Sequence, residues 1–185
     1  MIRKYLCLIM LFFTLNNLFC QNKIVNSRNS VYVDFLGVSG TILSLNYDRI
    51  LIETDKGYFN LNFGFGYSQL KNFNSPVIGI PLNINYTQGL KNHHIEIGTG
   101  LTYNSGMRQY DEVALFGDQS RALLAHEKSE VLFLSSRIGY KYQRSHGGIL
   151  MRIGFTPLIT LLNFSNFKVE EKILPLFDIG VGYAF

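Results

Sequence analysis

The side-chain period constrains this chain more than any other feature. In "YFNLNFGFGYSQL", Phe59, Leu61, Phe63, Phe65 and Tyr67 fall at every second position, with Asn60, Asn62, Gly64, Gly66 and Ser68 between them. A period of two puts successive side chains on opposite faces of a β-strand. The same alternation recurs in "SVYVDFLGV", "TILSLNYDRIL", "GIPLNINYT", "IEIGTGLTY", "VLFLSSRIGYKYQ", "ILMRIGFTPLITL" and "PLFDIGVGYAF". It predicts strands at 30–38, 41–52, 58–70, 78–88, 94–104, 130–143, 148–161 and 174–185. Only "ALFGDQSRALLAHEK" offers a helical period. Short, regularly spaced strands with turn signals between them argue an all-β barrel or sandwich.

Strand length narrows the choice. Most of these runs hold about 9–13 residues, whereas a tilted membrane-crossing strand needs about 9–11 and a globular one about 5–6. The connections also differ in length. "ETDKG", "GLKNH" and "RSHGG" are short, whereas "KNFNSPV", residues 105–129 and "NFSNFKVEEK" are long; among that second set only "GVSGT" is short. Short turns at one end and long loops at the other are the pattern of an outer-membrane barrel, and an even strand number places both termini at the short-turn, periplasmic end.

The amino-terminal stretch reads as an export signal. Arg3 and Lys4 precede an apolar run from Tyr5 to Leu15, the order of a cleaved secretory leader. The run is shorter than the roughly 20 residues of a spanning helix. Cleavage is expected between Cys20 and Gln21, giving a leader at 1–20 and a barrel at 21–185. A rival reading makes Cys20 the acylated first residue of a lipoprotein, but Phe19 stands where a small residue is wanted. Both cysteines, Cys7 and Cys20, lie in the leader, so the exported chain carries no disulfide framework and no thiolate metal site. Losing Arg3 and Lys4 lowers the formal charge from +4 to +2. With no basic stripe, nothing points to nucleic acid.

Charged residues make up 16% of the chain, against about 25% in an average soluble protein. Much of the surface is therefore not built for water. Two barrels of opposite polarity share the alternation: a soluble, lipocalin-like carrier with its apolar face inward, and a membrane barrel with that face outward. The polar face here is rich in Gly, Ser and Asn, which suit a narrow lumen. Tyr47, Tyr67, Tyr86, Tyr103, Tyr142 and Tyr183 sit towards strand ends, where an interfacial girdle belongs.

The last residues, "FDIGVGYAF", place Phe177, Ile179, Val181, Tyr183 and Phe185 on one face. This end resembles the β-signal of bacterial outer-membrane proteins, and the exported chain as a whole resembles a small eight-stranded barrel of the OmpA/OmpX type. The resemblance covers about 155 residues. It implies an eight-stranded antiparallel up-and-down transmembrane barrel in the bacterial outer membrane. Its terminal strand would be read by the barrel-assembly machinery and would pair with the first strand. Outer-membrane lipid and lipopolysaccharide are the implied surroundings. The absence of Trp departs from the usual girdle of Trp and Tyr.

The inferred inner face carries Asp34, Asp48, Glu96, Arg137, Lys141, Arg152 and Asp178. An eight-stranded interior is filled by side chains, so these charges are expected to pair as a plug rather than to line an open path. The Gly-x-Gly stretches in "GFGYS", "GTGLT" and "GVGYAF" lie within strands, without the following helix that a phosphate loop needs, and no cofactor is called for. His93, His94, His126 and His146 make no strand-borne His-x-Ser and no metal-ligand spacing, so neither a catalytic nor a metal site is assigned. Residues 105–129 are the most individual segment. They are expected either to fold over the barrel mouth or to present a short amphipathic helix at "SRALLAHEK" to a surface partner. The function expected is non-enzymatic: structural, or surface interaction through that segment. A narrow pore, a lipid-modifying enzyme and a soluble carrier stand as alternatives.

Overall fold

The structure, a computed structural model, describes residues 27–69, 76–113, 122–164 and 172–185, and the side chains of these apart from 107–113 and 122–127. The expected leader at 1–20 lies outside the described residues. Eight strands follow in order: β1 (Asn29–Phe35), β2 (Leu43–Thr54), β3 (Gly57–Ser68), β4 (Val77–Leu90), β5 (His93–Val113), β6 (Ala122–Gln143), β7 (Gly148–Asn163) and β8 (Ile173–Ala184). Each pairs antiparallel with its neighbours in sequence, and β1 pairs with β8 to close the ring. Closure gives most backbone groups a partner, the condition for crossing a bilayer with strands.

Burial follows the sequence alternation with its sign reversed from that of a soluble protein. Asn60, Asn62, Asn83, Asn85, Thr87 and Glu96 are buried, while Phe63, Leu82, Ile84, Ile97, Ile153 and Phe177 are exposed. The apolar face points outward, which is the opposite of a lipocalin-like carrier. Of the six tyrosines expected at strand ends, Tyr67 lies at a loop end, Tyr86, Tyr142 and Tyr183 towards turn ends, and Tyr47 and Tyr103 in mid-strand. Phe59 stacks on Tyr86 at 4.9 Å, and His93 lies 5.5 Å from Tyr142.

Two expectations need correction. The segment 105–129 is not a loop throughout its length. The β5–β6 register runs unbroken from Ser105↔Glu130 to Val113↔Ala122, and 122–128, for which a short helix is one of the two expectations, is strand. Continuing the ladder satisfies backbone groups that an irregular loop would leave to water, and this outweighs the weak helical preference of "RALLA". The hairpin tip at 114–121 lies outside the described residues. The second correction concerns β1, which stops at Phe35 instead of running to 38.

The reason β1 stops is the short connection after it. Leu36 takes a positive φ of 63° and Gly40 one of 66°, and the Leu36 amide donates to the Ile42 carbonyl at 3.0 Å, closing a small loop. That loop bends into the barrel mouth. Val38, Ser39 and Thr41 are buried. Thr102 Oγ1, on β5, donates to the Val38 carbonyl at 2.6 Å. The Asn104 amide, in the orientation that satisfies both its ends, donates to the Ser39 carbonyl at 2.8 Å. Since β5 stands opposite β1 in an eight-membered ring, the segment 36–42 straps the mouth from side to side. Gly79 makes room for it: a Cβ there would run into the Ser39 carbonyl.

Candidate functional site

Below the strap the lumen is filled by charge. Strand alternation aims Asp34 of β1, Asp48 of β2, Glu96 of β5, Arg137 and Lys141 of β6, Arg152 of β7 and Asp178 of β8 inward, and all seven are buried. Glu96 is the hub. Arg152 Nη2 reaches its Oε1 at 2.6 Å, Arg137 Nε the same oxygen at 2.9 Å, and Lys141 Nζ lies 4.0 Å from Oε2. Arg137 also pairs with Asp178. Lys141 Nζ sits 3.2 Å from Asp48 Oδ2, and Arg152 Nη1 sits 3.8 Å from that same oxygen. Asp34 makes no ion pair among the described residues; Asn46 Nδ2 approaches its Oδ2 at 3.4 Å.

Neutral side chains tie the cluster to the far wall. The Tyr32 hydroxyl donates to Asp48 Oδ1 at 3.2 Å and accepts from Asn62 Nδ2 at 2.6 Å. The Arg152 guanidinium lies 4.3 Å from the centre of the Tyr32 ring, a cation–π contact in a site without bulk water. Asn83 Nδ2 points to Asn62 Oδ1 at 3.4 Å, and Ser135 hydrogen-bonds to Asn83. Thr87 donates to Asn60 at 3.2 Å. Small residues make the space: a Cβ on Gly180 would sit 2.7 Å from Arg152 Cγ, so the long arginine fits because β8 is bare there.

Chemically, the arrangement holds charge still. Each cation touches at least one carboxylate, and the ends of the barrel are closed by other groups. At the turn end Ile50 packs on Tyr58 and Leu150 is buried; at the loop end the strap lies across the mouth. Three of the histidines have described side chains. His93 Nδ1 meets the Tyr140 hydroxyl at 2.5 Å on the outer face. His94 faces the lumen, 6.1 Å from the Tyr58 ring, and His146 contacts Ser145 in a turn. The side chain of His126 lies outside those described. Among the described residues no three His, Cys, Asp or Glu side chains are grouped as a metal site.

Reading the sequence located the seven charges but missed the strap, Tyr32 as their aromatic partner, and the apolar residues that fill the lumen at β6 to β8. The signal for the strap was present: "GVSGT" is the one short connection at the long-loop end, and it carries two glycines.

No protein-family model and no curated protein matches the chain. Among solved structures, the crystal structure of the N-terminal β-barrel domain of Pseudomonas aeruginosa OprF is similar, with a TM-score of 0.55 and 12% identity. The match covers 89% of this chain and all of that one. The fold is thus that of a small OmpA-type barrel with eight antiparallel strands. At that identity the likeness speaks for the fold alone.

Proposed function

We propose that the protein is a non-enzymatic barrel of the bacterial outer membrane, closed to solutes, with both termini periplasmic and the β5–β6 hairpin presented outside for structural or surface interaction. The observation that carries this reading is the combination of an apolar outer wall with a lumen filled by buried charges, all but Asp34 of them ion-paired. Such a wall needs lipid, here phospholipid and lipopolysaccharide, and such a lumen has no room to turn over a substrate. The extension of β5 and β6 beyond their neighbours supports the interaction role. β4 begins at Val77 and β7 ends at Asn163, so the pairs from Gly106↔Ser129 to Val113↔Ala122 extend beyond the neighbouring strands, with no other strand on either edge among the described residues. The alternating face of β8, from Phe177 through Ile179, Val181 and Tyr183 to Phe185, is the proposed contact for the assembly machinery.

The test has two readings on one preparation. Outer-membrane fractions run unboiled and boiled on a detergent gel should show heat-modifiable migration, the mark of a closed membrane barrel. The same protein in planar bilayers should give no steady conductance. Recurrent unitary steps would replace the closed reading with that of a narrow pore, and recovery in the soluble periplasm would overturn the membrane location itself.

A further inference from the structure

Among the described residues, the barrel wall is incomplete beside β8. Strand β1 has 7 residues, fewer than the roughly 9–11 that a tilted strand needs to cross the hydrocarbon layer. Strand β8 has 12. Their ladder ends at Phe35↔Ile179. Beyond it, Ile173 to Asp178 have no strand on the β1 side among the described residues, and no backbone–backbone hydrogen bond reaches them from the strap.

The direction of the open groups follows from the pairing. Asn29 and Phe185 exchange two backbone hydrogen bonds, at 2.9 and 2.8 Å. Antiparallel pairs alternate, so Tyr183, Val181 and Ile179 also direct their backbone groups towards β1. By the same alternation Phe177, Pro175 and Ile173 direct theirs into the gap. Pro175 has no N–H to offer, which suits a strand edge and disfavours docking of another strand.

The inner face at this level is apolar. Val131, Phe133 and Leu158 form a buried cluster, with Leu174 and Leu176 of β8 packed against it and only partly buried. Water is kept from the mouth by the strap, whose Gly40 lies against Leu158. The outer lips of the gap, Phe35, Leu36, Ile42, Ile173 and Phe177, are exposed and apolar, continuous with the lipid-facing wall. Leu174 and Leu176 of β8, only partly buried, thus border the gap in front of the closed cluster of Val131, Phe133 and Leu158.

We propose that the gap beside β8 admits one acyl chain of the surrounding membrane lipid, which lies along Leu174 and Leu176 inside the wall. The N–H of Ile173, at the loop end of the gap, is placed to donate to the lipid's ester carbonyl. This inference rests on the membrane location argued above.

The test uses the absence of Trp from the whole sequence. Single-tryptophan variants L176W and L174W, each checked for heat-modifiable migration, are reconstituted in vesicles of phosphatidylcholine with brominated or unbrominated chains. I179W reports the outer face of the same strand, and Y58W the inner face behind a sealed wall. Bromine should quench L176W or L174W to an extent comparable with I179W and leave Y58W bright. If both inner β8 variants stay as bright as Y58W while I179W is quenched, the wall is closed and the inference falls. If I179W itself is not quenched, the barrel is not in the bilayer, and the location falls with it.

Discussion

Arg152 Nη2 donates to Glu96 Oε1 at 2.6 Å, although the two residues stand on β7 and β5, with β6 between them in the wall. The bond therefore crosses the lumen instead of running along it. Arg137, from the intervening strand, reaches the same carboxylate at 2.9 Å. One carboxylate thus ties three strands together from inside, where side chains screened from water hold each other more strongly than at a surface.

Neutralising that hub should be costly. Glu96→Gln keeps the shape and removes the charge, leaving Arg137 and Arg152 with one shared partner fewer in a buried site. Loss of one member of a buried ion cluster typically costs about 3–5 kcal/mol. Unfolding in urea from detergent micelles should show the midpoint fall with an unchanged slope, since the surface exposed on unfolding is the same. A loss below about 1 kcal/mol would be the size of a surface pair and would mean that water already reaches the cluster.

The strap makes a second expectation. Thr102→Val removes the hydroxyl that holds the Val38 carbonyl, a bond worth about 0.5–1.5 kcal/mol. Gly79→Val places side-chain carbon against the Ser39 carbonyl and should push the segment out. Thr156 is buried on the inner face of β7, close below Leu158, so Cys at that position reports the seal. A membrane-impermeant maleimide should label T156C slowly in the parent, several-fold faster with Thr102→Val, and fastest with Gly79→Val. Equal rates in all three backgrounds would show that the strap does not close the mouth.

How far such features were legible depends on what each one rests on. The outward row Phe59, Leu61, Phe63, Phe65 and the inward row Asn60, Asn62 follow from a period of two, a property of single residues in a strand, and the eight strands and seven inward charges came with them. The strap depends instead on contacts distant in sequence: Thr102 lies 64 residues from Val38, and nothing local to "GVSGT" says which way it bends. The β5–β6 hairpin was misread for a related reason. "RALLA" has local helical character, whereas the strand state of residues 122–125 comes from pairing with Tyr110, Asp111, Glu112 and Val113 on β5. Pro175 could have been read as the mark of a strand edge, but its meaning needed the point at which β1 stops.

The terminal strand offers a last expectation that separates assembly from stability. Phe185 is exposed at 58% on the outer face, while its backbone exchanges both hydrogen bonds with Asn29. Phe185→Ala keeps that backbone pair and removes only an outward ring. If the ring is a recognition element for the assembly machinery, Phe185→Ala should lower the amount of heat-modifiable protein in the outer membrane of cells. The purified variant refolded into micelles should unfold within about 1 kcal/mol of the parent, the scale of a substitution that opens no cavity in the core. A large loss of stability in micelles with normal assembly in cells would reverse the assignment, making Phe185 part of barrel closure and not a signal.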